Sequence, residues 1–126
     1  MPLCQDRKIA VVPWSPLAGG RCARPWGVQT ERSKIDDVSP MVWTTPEQDK
    51  KVVDALEEVS KKNGNSMAQN ALAWMLSKPY VTAPIVGSTS PKHLEEAVKA
   101  LDIKLSDEEI KALEAPYVPH IKTGAF

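Results

Sequence analysis

Val81-Thr82-Ala83-Pro84-Ile85-Val86-Gly87-Ser88-Thr89-Ser90-Pro91-Lys92-His93-Leu94-Glu95-Glu96 joins an apolar run to a helix start through one glycine and three hydroxyl residues. The apolar half has the length and composition of a strand. Ser90 followed by Pro91 is a helix-opening pair, because proline at the first helical position gives up an N–H that has no partner there anyway. Strand, tight turn, helix is the unit of a parallel α/β sheet. Its turn brings backbone N–H groups, hydroxyls and the Lys92 ammonium to the positive end of a helix, a setting suited to a phosphate.

Upstream, the pattern repeats once. Ile9-Ala10-Val11-Val12 is continuously apolar and reads as a strand buried on both faces. Pro13-Trp14-Ser15-Pro16-Leu17-Ala18-Gly19-Gly20 follows it as a second loop at a strand end. From Arg21 to Thr44 there is little periodicity, so a long loop is expected, of the kind that is functional or disordered. Thr45-Pro46-Glu47 opens a helix carrying Val52, Val53, Leu56 and Val59, and Asn63-Gly64 closes it. Ser66 with Gln69, and Ser106 with Glu109, are capping boxes that start two further helices. The helix opened by Pro91 extends to about Leu101, with Leu94, Ala97, Val98 and Leu101 at helical spacing. The order is strand, long loop, helix, helix, strand, helix, helix. Two strands rarely make a stable sheet alone. Pro84 also removes a ladder donor, which suits an edge, a bulge or a strand end. Both strands therefore look made for a larger sheet.

Composition narrows the function classes. The chain has 126 residues, with 16 Lys plus Arg against 16 Asp plus Glu. That balance gives no basic footprint for nucleic acid and no acidic tail. Eleven prolines exceed the roughly 5% of average usage and sit as punctuation at element ends. Cys4 and Cys22 are in no metal or redox spacing and read as free thiols of a cytoplasmic protein. No apolar run is long enough to span a membrane. His93 and His120 have no partners at metal-ligand spacing, so no metal site is expected. Trp26, Trp43 and Trp74 read as packing residues.

Each loop, taken alone, has two readings. Gly87, Ser88, Thr89, Ser90, Lys92 and Glu96 describe a phosphate turn with an acid placed for an exocyclic amine, and also a well-capped helix. Trp14, Ser15, Leu17, Ala18 and Gly19, with Arg21, Arg24 and Arg32 beyond, describe a ring platform beside a diphosphate. They also describe a core tryptophan next to a solvated loop. Two such loops at the ends of two parallel strands favour the binding reading, since barrel sites are built where strand C-termini converge.

Pro-Trp-Ser-Pro-Leu-Ala-Gly-Gly at 13–20, Ala-Arg-Pro-Trp-Gly at 23–27, Ala-Leu-Ala-Trp at 71–74 and the stretch 83–96 together resemble the aldo-keto reductases. The likeness is greatest to the microbial and fungal aryl-alcohol-dehydrogenase-like branch, whose ending is also similar to Glu114–His120 here. It covers nearly the whole chain. The resemblance implies the C-terminal part of a (β/α)8 TIM barrel of α/β class, incomplete, with about two strands and their helices. Residues 1–126 would form one partial NADP-dependent oxidoreductase domain.

The resemblance further implies NADP(H) as cofactor and a small carbonyl or alcohol substrate for a full-length form, with hydride transfer between them. By position, Trp14 matches the aromatic stacked on the nicotinamide. Ser15, Pro16, Leu17, Ala18 and Gly19 match the diphosphate loop, with Arg24 and Arg32 near basic residues that hold the cofactor. Gly87, Thr89, His93 and Glu96 match the adenosine-phosphate turn, filled in by Ser88, Ser90 and Lys92. Ala97 stands where many relatives carry Asn. No segment matches the family's catalytic Asp, Tyr, Lys and His, and a whole barrel takes about 250 residues. The chain is therefore expected to be inactive alone. The alternatives are a non-catalytic nucleotide- or partner-binding fragment, or a truncated product without function.

Overall fold

The structure is a computed structural model that describes residues 1–30, 45–88 and 90–119. Its elements in chain order are α1 (Pro2–Asp6), a 3-10 segment (Ala18–Ala23), α2 (Pro46–Asn63), α3 (Met67–Leu76), α4 (Pro91–Lys99), a 3-10 turn (Ala100–Asp102) and α5 (Asp107–Glu114). The short α1 has no counterpart in the sequence reading.

The helix ends follow from local chemistry. Pro46 starts α2, Glu47 and Asp49 lie in its first turn, and Lys61 and Lys62 lie in its last, each complementing the dipole. Gly64 ends it at φ 77°, donating its N–H to the Ser60 carbonyl at 3.0 Å. Both expected capping boxes form: the Ser66 hydroxyl accepts from the Gln69 N–H, and Ser106 does the same for Glu109, with the partner side chains reaching back. The helix from Pro91 keeps α geometry to Lys99 and tightens to 3-10 before Ile103.

The core lies among helices. Val53, Leu56 and Val59 of α2 pack with Met67 of α3 and Leu113 of α5, and Cys22, Trp26, Ala71, Trp74 and Leu105 close around them. Of the adjacent valines of α2, Val53 is buried and Val52 only half-buried. Asn70 sits in the middle of this assembly with no exposed surface. Its amide and that of Asn63 form a reciprocal pair, each donating to the other's Oδ1 at 3.1 Å. Asn70 Nδ2 also donates to Ser60 Oγ at 2.9 Å, and Asn63 Nδ2 donates to Glu109 Oε1 at 2.7 Å. One polar cluster thus ties α2, α3 and α5 together.

The expected strands are corrected. Among the described residues no strand is formed, and residues 9–14 and 81–85 instead run side by side as extended segments joined by a parallel bridge between Trp14 and Ile85. The Thr82 N–H donates to the Val11 carbonyl and the Ile85 N–H to the Pro13 carbonyl, each at 2.8 Å. The acceptors are two positions apart and the donors three. The second segment therefore carries one extra residue, a bulge centred on Ala83 and Pro84. Pro13 and Pro84 lack an N–H, so the ladder cannot continue through them. Nor is either segment buried on both faces, since Ile9 and Val12 of the first and Ile85 of the second are exposed. Burial of a strand needs neighbours on both sides, and the described residues supply one. The same holds for α4, whose Leu94 and Val98 are exposed, as is Leu101 just beyond it.

Candidate functional site

The bridge between Trp14 and Ile85 is parallel, so the loops that follow these residues leave from the same end of the pair. That juxtaposition gathers most of the residues singled out in the sequence. Arg32 and Thr89 lie outside the described residues.

The first loop is wound through left-handed backbone: Ser15 at φ 50°, Ala18 at 51°, Gly19 at 64° and Gly20 at 88°. Only glycine enters that region without a steric penalty, so Ser15 and Ala18 are strained. The winding is held internally. The Ala18 N–H donates to the Ser15 carbonyl at 2.9 Å, the Gly19 N–H to Ser15 Oγ at 3.2 Å and the Gly20 N–H to the Leu17 carbonyl at 2.8 Å. These N–H groups therefore face inward, and the loop offers a ligand the Ser15 hydroxyl proton and a close-lying backbone. Trp14 is 61% exposed, so its indole is available as a platform and is not core packing. Arg24 folds back over the loop: its Nε donates to the Val28 carbonyl at 2.9 Å, and its guanidinium lies against Gly20.

In the second loop, Ser88 and Ser90 form a closed local unit. The Ser88 hydroxyl donates to the Ser90 carbonyl at 2.7 Å and accepts from the Ser90 N–H at 3.2 Å. Gly87 has no left-handed φ, and a Cβ built on it would meet nothing within 4 Å. Neither backbone nor packing among the described residues demands glycine there. The hydroxyl of Ser90 makes no capping bond at α4, in contrast to Ser66 and Ser106. Lys92 and His93 are exposed on the first turn of α4, and Glu96 is half-buried one turn on.

Other chemistry lies elsewhere. Tyr80 lines a shallow groove with Cys4, Lys8, Ile9 and Thr82, toward the start of the second segment and away from both loops. Burial beside Asp49 raises the Cys22 thiol to about 11, so it is an unreactive packing group. Among the described residues no group of three or more His, Cys, Asp or Glu could hold a metal, and no helix is long and apolar enough to cross a membrane. Trp26 packs against the core, as does Trp74, whose Nε1 donates to Glu114 Oε1 at 2.9 Å. Trp43 lies outside the described residues. The sequence reading missed the positive φ at Ser15 and Ala18 and the pairing of Arg24 with Gly20. The adjacent glycines 19 and 20 were the signal for such a winding.

A model of the aldo/keto reductase family matches residues 1–117. Versiconal hemiacetal acetate reductase of Aspergillus parasiticus is 41% identical over 122 residues, covering 94% of this chain and 35% of that protein. A Saccharomyces cerevisiae protein named as an aryl-alcohol dehydrogenase, AAD16, is 38% identical over 121 residues, covering 94% of this chain and 35% of its own length. The crystal structure of a thermostable aldo-keto reductase, Tm1743, in complex with the inhibitor epalrestat superposes with a TM-score of 0.58 at 32% identity. That match covers 92% of this chain and 32% of the other. The chain thus spans about a third of the length of the relatives it matches.

Proposed function

The chain belongs to the aldo/keto reductase family, and from that premise we propose that it forms the NADP(H)-binding end of a barrel oxidoreductase. The observation that carries this is the parallel bridge at Trp14 and Ile85, which sets two turn-rich loops side by side at one end of the extended pair. In this reading the two segments are the last strands of an incomplete (β/α)8 barrel. The exposed Ile9, Val12 and Ile85 are faces for the rest of it.

Several features fit a dinucleotide. The exposed indole of Trp14 suits the nicotinamide. Ser15, Pro16, Leu17, Ala18 and Gly19 form the wall for the diphosphate, with Arg24 behind it, and Arg32 is assigned to the cofactor by sequence position alone. Gly87, Ser88 and Ser90 line the adenosine end, where the uncapped Ser90 hydroxyl and the bare Gly87 leave room for an anion, and Thr89 is assigned to it by sequence position alone. Lys92 and His93 suit the additional phosphate of NADP(H), and Glu96 suits the adenine amine. When bound, the cofactor supplies or takes up the hydride as a carbonyl compound and its alcohol interconvert. The residues of this chain bind and orient it. In this reading neither described tyrosine is the proton donor that such a reaction needs: Tyr80 lines the groove at the start of the second segment and Tyr117 follows α5.

A second reading, a nucleotide-binding fragment without turnover, rests on the same loops. Substitution of Lys92 tests the shared part. Lys92→Ala should weaken NADPH binding by about tenfold, the worth of a charge-assisted hydrogen bond, and leave NADH binding within about twofold. Equal losses for the two cofactors would remove Lys92 from the phosphate site.

A further inference from the structure

We propose that Arg24 is a positioning residue, a strut that holds the first loop in shape and does not itself meet the ligand. The effect on cofactor binding rests on the function proposed above; the effect on the loop does not.

The loop needs a strut. Ser15, Ala18, Gly19 and Gly20 all have positive φ, and the bonds that hold them span only three or four residues. Such local bonds exchange readily with water. Arg24 supplies an anchor from outside the winding. A Cβ on Gly20 would lie 2.8 Å from Arg24 Nη1 and 3.4 Å from Nη2, so the guanidinium occupies the space that only glycine leaves open. Glycine at position 20 thus serves both the backbone, at φ 88°, and the arginine.

Arg24 is in turn fixed from the core. Its Nε donates to the Val28 carbonyl at 2.9 Å. That carbonyl is aimed by the turn 25–28, in which the Val28 N–H donates to the Pro25 carbonyl at 3.3 Å and Gly27 takes φ 86°. Trp26, inside that turn, packs on the hydrophobic core. The contacts run from the core through Trp26, the Val28 carbonyl and the Arg24 fork to Gly20 and the loop. A guanidinium can bond through Nε to the Val28 carbonyl while its other nitrogens stand against Gly20, whereas a lysine has a single point charge.

The test compares Arg24→Ala, Arg24→Lys, Gly20→Ala and the double variant. Amide exchange is followed by NMR in the 126-residue chain without cofactor, and NADPH affinity is measured alongside. Arg24→Ala and Arg24→Lys should each speed exchange at Gly19 and Gly20 by about tenfold, the worth of one hydrogen bond to a charged group, with α2 amides unchanged. Gly20→Ala should cost less protection in the Arg24→Ala background than in the parent, because the displaced fork is then already gone. NADPH affinity should fall in step. Unchanged exchange at Gly19 and Gly20 with weaker NADPH binding would make Arg24 a direct ligand contact and overturn the proposal. Full rescue by Lys, or faster exchange throughout α2, would overturn it as well. A parent chain that binds no NADPH would count against the proposed function alone, and the exchange data would still decide the strut.

Discussion

Asn70→Leu removes the centre of the polar cluster that ties three helices together, and its cost can be worked from the contacts. Asn70 has no exposed surface, so water cannot replace the lost bonds. The substitution takes away the donor to Ser60 Oγ at 2.9 Å and both halves of the reciprocal pair with Asn63 at 3.1 Å. Ser60 is itself buried, and Asn63 is half-buried. Each buried polar group left without a partner costs about 1–3 kcal/mol. With Ser60 fully orphaned and Asn63 still bonded to Glu109, the expected loss is about 2–4 kcal/mol, offset by less than about 1 kcal/mol from the added apolar contact. A domain of this kind has only about 5–15 kcal/mol in all. Urea unfolding should therefore show a markedly lower midpoint at an unchanged slope. The double variant Asn63→Leu with Asn70→Leu should cost less than the sum of the singles, since each single leaves the other amide unpaired. A single variant within about 0.5 kcal/mol of the parent would refute the idea that this amide cluster holds the helices, that margin being usual for surface changes.

Three other outcomes follow from the same structure. Bonds from the Ser106 N–H and Asn63 hold the Glu109 carboxyl below its ordinary value of 4.5, and Lys78 and Trp74 do so for Glu114. A depressed carboxyl contributes stability above its unfolded pKa and loses it as pH falls through the folded one, so melting should begin to drop below about pH 4.5; Glu109→Gln should flatten that drop, and an unchanged profile would contradict the assignment. Cys22, raised from 9.0 to about 11, carries about a hundredfold less thiolate at pH 8 than an unperturbed thiol; alkylation followed by mass spectrometry should label Cys4 well before Cys22, and equal rates would contradict the raised Cys22 thiol. Gly87→Ala should leave stability within about 0.5 kcal/mol, because its Cβ meets open space, yet weaken NADPH binding; intact binding would deny a close backbone approach there.

What was legible in the sequence, and what was not, divides by range. Ser66 with Gln69, Ser106 with Glu109 and Asn63-Gly64 announced helix ends correctly, because a cap is made within four residues and needs no tertiary partner. The depth of residues 9–12 is not legible in their sequence. An apolar run says that a segment can be buried, while neighbouring elements decide whether it is, and here Ile9 and Val12 remain exposed. Pro84 signals an edge, a bulge or a strand end, and the two-against-three spacing of its neighbouring bonds fits the bulge. Asn70 escaped notice, since a polar residue within an apolar stripe does not reveal whether partners wait for it. At the candidate site, residue types were legible but not their state. Nothing in Leu-Ala-Gly-Gly showed that the N–H groups turn inward, because that depends on φ at Ser15 and Ala18.

The central claim is that two loops on adjacent parallel segments make one dinucleotide site. The most direct test is a backbone NMR titration of the isotopically labelled chain with NADPH. The account predicts that resonances of residues 14–20 and 87–93 move together with one binding constant, that α2 and α5 stay still, and that NADH acts more weakly. Movement of one loop without the other, or a response centred on the groove at Tyr80, would contradict it.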